Sequence, residues 1–289
     1  MKTAEVLVGN GSTQLLYLLC AALRPRTALV IGPAFSEYAN ALTLAGSNIR
    51  SLSLTVDDGF QFSTERLMAA WEKNCDLLVL TTPNSLTGRL IPKGEIENIA
   101  RVAIIKKSFV LVDEAFIDFV ENESVKMLVQ NNPFLIVLRS LTKYYALPGL
   151  RLGYLLGEAR TVAQLAAYRE PWSVNGPALS VALACLEDAS FAAKTGRWLE
   201  QERTFLLQGL TKLDGFHPFS SRTNFLLVEI DKRRGDALQL RSFLLRKKIL
   251  IRACNSFAEL GGDFFRVAVR RRKDNRRLLG ALSEWTHLK

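Results

Sequence analysis

A chain of 289 residues, 48% apolar and 23% charged, carries enough hydrophobic material for one large α/β domain or a large-and-small pair, which excludes a disordered chain. No apolar run reaches membrane-spanning length, and the opening "MKTAEVLVGNGST" has neither the basic region nor the long apolar core of a secretory leader, so a cytoplasmic protein without membrane contact is expected. The net charge of +10 raises nucleic acid as a partner, but the basic stretches Lys232-Arg233-Arg234, Arg246-Lys247-Lys248 and Arg270-Arg271-Arg272-Lys273 lack interleaved aromatics and recognition-helix spacing; they read as solvated faces, and no nucleic acid is expected.

Along the first half, short runs rich in branched apolar residues predict buried strands at 27–32 (TALVIG), 76–82 (DLLVLTT), 108–115 (SFVLVDEA) and 134–140 (FLIVLRS). Helices are predicted between them at Ser12 to Leu23, Ser36 to Ala45, Thr64 to Lys73 and Lys93 to Lys106, each opening near a capping residue, glycine or proline. Strands alternating with helices imply a mainly parallel sheet sandwiched by helices, with its binding edge at the strand ends. After about residue 170 the pattern changes to two helical stretches, then strands near "TNFLLVEI", "ILIRAC" and "FFRVAV", then a basic C-terminal helix. The expected fold class is therefore α/β, with a large domain at 1–172 and a smaller α+β C-terminal domain, interdomain helices included, at 173–289.

Cys20, Cys75, Cys185 and Cys254 are scattered without a CxxC pair, and the only histidines are His217 and His287. Neither a disulfide framework nor a metal site is indicated, and the thiols read as small buried hydrophobes.

Three local features carry chemistry. "GNGSTQLL" places glycines and then Ser12 and Thr13 at a helix start, where unsatisfied amides at the positive end suit a phosphate; an ordinary capped helix reads the same way. Asp113 ends an apolar strand, where a carboxylate needs a cationic partner: either an ion-pair or capping role, or the counter-ion of a protonated ring nitrogen. Lys143, in "RSLTKYYALPGLRLGYL", stands among apolar neighbours that would disfavour its ammonium and free the amine as a nucleophile, the alternative being an ordinary exposed lysine.

A phosphate cradle, a strand-end aspartate and a downstream lysine followed by an arginine supply what pyridoxal 5'-phosphate needs. With "VGNGST", "PAFSEY", "TPNSLTG", "VDEAFIDF", "VLRSLTKYYALPGLRLGYL", "PWSVN", "ILIRAC" and "FFRVAV" in this order over most of its length, the chain resembles the fold-type I aminotransferases, near the histidinol-phosphate aminotransferases. The resemblance implies a fold-type I transferase fold, pyridoxal 5'-phosphate as cofactor and a homodimer. It makes Lys143 the residue that links covalently to the cofactor aldehyde and later moves protons, and Asp113 the partner of the pyridine nitrogen. Gly11, Ser12, Thr13, Ser140 and Arg151 would hold the cofactor phosphate, and Phe35 would stack on the ring. Arg266 would grip a substrate carboxylate, with Arg252 and Asn175 on the substrate side.

The implied activity is decarboxylation of L-threonine O-3-phosphate to (R)-1-aminopropan-2-yl phosphate in cobalamin biosynthesis. An aminotransferase for histidinol phosphate or another phosphorylated amino acid, and a catalytically impaired relative, stay open beside it. Two departures stand out. Ser85, in Asn84-Ser85-Leu86-Thr87-Gly88, replaces the second Asn of the family's "NNPTG", so its contact to the ring oxygen is expected to be lost or bridged by water. The chain also begins almost at the glycine-rich stretch, without the family's N-terminal arm, and a less covered substrate pocket is expected.

Overall fold

Branched apolar runs that are buried on both faces favour a parallel sheet, and the first half of this chain builds one. The computed structural model describes residues 1–257 and 259–288. The chain packs into two units, the first comprising Met1–Ser85 with Leu90–Asp188, the second Leu86–Arg89 with Ala189–Lys289.

In the first unit β1 (Val6–Asn10) leads into α1 (Gly11–Leu23), followed by β2 (Thr27–Gly32), α2 (Ser36–Leu44), β3 (Asn48–Ser53) and α3 (Thr64–Ala70). Then come β4 (Leu77–Thr81), α4 (Lys93–Lys106), β5 (Phe109–Asp113), β6 (Leu135–Ser140), the short α5 (Leu141–Tyr144), β7 (Leu152–Leu156), α6 (Ala159–Ala166) and α7 (Gly176–Glu187). The strands form one sheet in the order β1-β7-β6-β5-β4-β2-β3. β7 runs antiparallel to both β6 and β1, so β1 points the same way as the parallel strands. Three consequences follow for one sheet edge. The C-terminal ends of β1, β4, β5 and β6 lie on it, α1 starts there, and β7 begins there. Asn10 pairs with Leu152, Ser140 with Gly153, and Thr81 with Asp113. The core under α1 and α2 is Leu15, Leu16, Leu19, Leu42, Val79, Leu111, Ile136 and Leu155, all nearly inaccessible.

The second unit contains α8 (Ala189–Thr211), β8 (Phe216–Pro218), β9 (Phe225–Ile230), α9 (Ala237–Arg246), β10 (Arg252–Ala253), β11 (Phe264–Ala268) and α10 (Arg272–Leu288). Its sheet, in the order β10-β11-β9-β8, is antiparallel throughout. The basic run that opens α10 is partly used internally, because Arg272 pairs with Glu202 of α8 and lies over the Phe205 ring at 4.0 Å.

The four predicted strands and four predicted helices of the first half are present with ends shifted by three residues at most. β3 escaped notice because it is an edge strand with a largely polar, solvent-facing sequence, NIRSLS. β1 and β7 each contain a glycine that breaks the apolar run. "ILIRAC" contributes only the two-residue β10. The division falls after Asp188 instead of at 172: α7 stays with the first unit because Ala178 and Ala182 cluster with Leu141 and Leu152. The segment Leu86–Arg89 groups with the second unit, where Gly88 O accepts from Arg222 N and Arg89 bonds Ser220. Cys20, Cys75 and Cys254 are buried, but Cys185, near the C-terminal end of α7, is only half-buried. Burial pushes the Cys20 thiol up to about 12, so it is inert as a nucleophile. No helix among the described residues is long and apolar enough to cross a membrane.

Candidate active site

The site of interest occupies the shared edge of the first unit's sheet. Asp113, the last residue of β5, is 6% exposed. Its Oδ2 accepts from the Tyr38 hydroxyl at 2.6 Å and its Oδ1 from the Ala115 amide at 2.9 Å. The Tyr38 oxygen also lies 2.8 Å from Thr81 Oγ1, on the neighbouring β4. Burial pushes the Asp113 carboxyl up, and the Tyr38 hydroxyl, the Ala115 amide and the positive charge of Lys143 pull it back. Burial first, then the charge of Asp113, drives the Tyr38 phenol far above its ordinary range, so Tyr38 is a neutral donor to this carboxylate.

Lys143 sits on α5, immediately beyond β6, and its Nζ lies 5.8 Å from the centre of the Phe116 ring. The expectation of a lysine enclosed by apolar neighbours is corrected here. Leu141 and Tyr144 turn inward, whereas Lys143 is exposed. Three residues on a tight helical turn point in different directions, so sequence neighbours do not enclose it; what Lys143 feels is the Asp113 carboxylate.

Ser140 caps α5: its Oγ accepts from Thr142 N at 3.4 Å and lies 2.8 Å from Thr142 Oγ1. One strand further, Arg151 precedes β7 with φ +55° and donates to Pro148 O at 3.2 Å. Its guanidinium lies against α1, since a Cβ at Gly11 would meet Arg151 Nη2 at 2.5 Å. Gly11 has φ +78°, so a side chain there would be disfavoured on backbone grounds as well. Asn10 makes no side-chain cap to α1, and its own amide donates to Gln14 Oε1 at 2.7 Å. The first-turn amides at Gly11, Ser12 and Thr13 therefore have no capping side chain from Asn10, next to a guanidinium and a serine hydroxyl.

These groups fit pyridoxal 5'-phosphate by their chemistry. Helix-start amides, Arg151 and Ser140 match a phosphate dianion. The oriented carboxylate of Asp113 matches a protonated ring nitrogen, and Lys143 offers the amine. Asp113 and the Arg151 turn are separated by two strand spacings, about 10 Å.

The remaining expected site residues fall as follows. Phe35 caps α2 with its backbone and meets Tyr38 edge-on at 5.8 Å. Ser85 lies in the loop after β4, beside Asn84, whose amide donates to Pro33 O at 2.9 Å. Asn175 is committed structurally at both ends of its amide: Oδ1 accepts from Ala178 N at 2.8 Å, capping α7, and Nδ2 donates to Leu150 O at 3.0 Å. It thereby steadies the turn that carries Arg151. In the second unit Arg252 and Arg266 are directly opposite each other on β10 and β11. Arg252 lies over Phe257 at 5.6 Å and Arg266 over Phe225 at 4.6 Å.

The sequence reading missed Tyr38, Thr81 and the pair Glu114–Arg139. Tyr38 was inside the quoted "PAFSEY", and its signal was a tyrosine in the first turn of an apolar helix. Glu114 and Arg139 each signalled as a charge next to a site residue on an apolar strand; both are buried and paired at 3.1 Å.

Comparison with known proteins agrees with this geometry. Residues 1–282 match the family of class I and II aminotransferases. The threonine-phosphate decarboxylase of Salmonella typhimurium is 37% identical over 279 residues, covering 96% of this chain and 76% of that protein. The adenosylcobalamin biosynthesis bifunctional protein CobDQ of Leptospira interrogans is 28% identical, covering 97% of this chain and 33% of that protein. Among solved structures, the histidinol-phosphate aminotransferase of Clostridium acetobutylicum superposes with a TM-score of 0.91 at 27% identity, covering 99% of this chain and 84% of that one. A match of this length, with the strand-end aspartate, the lysine and the glycine-serine helix start inside it, means that the chain belongs to the aminotransferase class I and II family of pyridoxal-phosphate enzymes.

Proposed function

We propose that this protein decarboxylates L-threonine O-3-phosphate to (R)-1-aminopropan-2-yl phosphate, a reaction of cobalamin biosynthesis, and does so as a cytoplasmic homodimer. The observation that carries the reading is the buried Asp113 carboxylate, oriented by Tyr38 and the Ala115 amide, on the sheet edge that also holds Lys143, Gly11, Ser12, Ser140 and Arg151. The choice of substrate is supported by the 37% identity to the Salmonella decarboxylase, and the pathway by the Leptospira relative.

When bound, pyridoxal phosphate supplies an electron sink for the carbanion left as a bond to the substrate α-carbon breaks. The residues of the chain do the rest. Asp113, buried and oriented by two donors, holds positive charge on the ring nitrogen. The α1 amides, Ser140 and Arg151 fix the phosphate and hence the ring plane. Lys143 Nζ, exposed beyond β6, would supply the amine that the cofactor aldehyde needs and would move a proton to or from the substrate α-carbon. Arg252 and Arg266 face each other across a strand pair, where like charges are unfavourable unless an anion lies between or beside them. Burial lowers the Arg266 guanidinium and Arg252 lowers it further, so a substrate carboxylate or phosphate would relieve both effects.

The test is direct. Purified protein is loaded with cofactor, reduced with borohydride and digested, and the modified peptide should map to Lys143. Incubation with L-threonine O-3-phosphate should then release carbon dioxide and aminopropanol phosphate. A keto acid in place of carbon dioxide would establish the aminotransferase reading, and a protein that takes up no cofactor would establish the impaired relative. Sedimentation of a cofactor-loaded monomer would overturn the homodimer.

A further inference from the structure

Tyr38 is among the largest fully buried side chains, and its polar atom is placed against the site carboxylate instead of water. A phenol has one proton to give. With that proton on Asp113 Oδ2 at 2.6 Å, the 2.8 Å contact to Thr81 Oγ1 must be a bond in which the threonine hydroxyl donates to the phenol. The chain Thr81 to Tyr38 to Asp113 thus runs in one direction, each bond strengthening the next. Its members come from three elements, β4, α2 and β5, and Thr81 is paired in register with Asp113. The other carboxylate oxygen is fixed by the Ala115 amide.

We propose that Tyr38 is a positioning residue for Asp113: its buried, Thr81-backed hydroxyl fixes the carboxylate, leaves the remaining lone pairs for the cofactor's ring nitrogen, and keeps the proton shared between the two on the nitrogen. The inference rests on the reading that Asp113 meets that nitrogen. A carboxylate that loses a strong donor gains proton affinity, so the shared proton moves toward Asp113 and the ring loses positive charge. With less positive charge nearby, Lys143 Nζ in the bound state holds its proton to higher pH. The titratable groups facing Asp113 are Tyr38 from α2 and Lys143 from α5; β4 contributes only the neutral Thr81, and the adjacent Glu114 is engaged by Arg139.

The experiment titrates the cofactor's visible absorption against pH at saturating pyridoxal phosphate. Tyr38→Phe should raise the midpoint by about one pH unit, the worth of one hydrogen bond to a charged group. Thr81→Val, which keeps the phenol and removes its donor, should raise it by about a third as much, and it carries the test should Tyr38→Phe fail to fold. Leu42→Ala, a fully buried change one turn along α2, should lower the melting temperature and leave the midpoint in place. A midpoint unchanged in the folded Tyr38 and Thr81 variants, or moved as far by Leu42→Ala, overturns the inference. Asp113→Asn is the reference. A shifted or lost band there with none in Tyr38→Phe rejects the inference alone, whereas an unchanged band in Asp113→Asn rejects the functional reading beneath it.

Discussion

Two clusters at the ends of β5 and β6 use the same residue types to opposite ends. Asp113 and Glu114 are consecutive, as are Arg139 and Ser140, so the strand alternation sends one of each pair to either face. On one face Arg139, 2% exposed, donates to Asp118 at 2.9 Å, to Glu121 at 2.6 Å and to Glu114 at 3.1 Å, while Ser124 and the Val125 amide complete Glu114. Burial works against the guanidinium charge, but Asp118, Glu121 and Glu114 outweigh it, so Arg139 stays protonated. On the other face Asp113 accepts two neutral donors and feels one exposed cation, Lys143. The closed network, in which Arg139 answers Glu114, Asp118 and Glu121 while Lys126 shares Glu121, is a fastener that ties the loop after β5 to β6. The open one, whose carboxylate is held by neutral donors, is the candidate site. What separates the two is that ion pairs answer the buried carboxylates on one face, whereas neutral donors hold the buried carboxylate on the other.

That contrast can be broken at four places. Arg139→Met should cost about 3–5 kcal/mol of stability, read by chemical denaturation, because it strands buried carboxylates; a loss under 1 kcal/mol would refute the fastener. Lys143→Ala should lower turnover by about 10³-fold and move the stability of the cofactor-free protein by only about 0.5 kcal/mol, since the side chain is exposed. Asp113→Asn should raise the melting temperature of the cofactor-free protein at pH 7 by about 2–4 °C. The sign comes from the raised Asp113 carboxyl: above its folded value the ionised group opposes folding, and below the ordinary aspartate range both states are protonated. The gain should therefore shrink as pH falls through the raised value, which calorimetry at several pH values would check. Asn175→Ala, which removes the cap of α7 and the bond to Leu150, should cost about 1 kcal/mol with a modest rise in the cofactor dissociation constant.

Much of this was legible because local chemistry and periodicity agree. The apolar runs at 27–32 and 134–140, and the helix starts at Ser36 and Lys93, needed only the pattern of burial that their side chains demand. Asp113, Lys143 and the Gly11–Thr13 turn stood out because a charge or a glycine at a strand end is costly unless used. Lys143 was misjudged in its surroundings, for exposure is a property of the turn it sits on. Asn175 was expected on the substrate side, and its bond to the Arg151 turn was not legible because the partner, Leu150, is 25 residues away.

By itself the sequence determined the alternation of strands and helices, the change of pattern in the last two fifths of the chain and the choice of candidate reactive groups, because these are set by residue type and short-range spacing. Only the tertiary structure decided that β7 enters the sheet backwards between β1 and β6, which brings Arg151 against Gly11, and that Tyr38 reaches across β4 to Asp113. Such meetings join residues 75 and 140 positions apart, and they depend on strand order and direction, which no local pattern encodes.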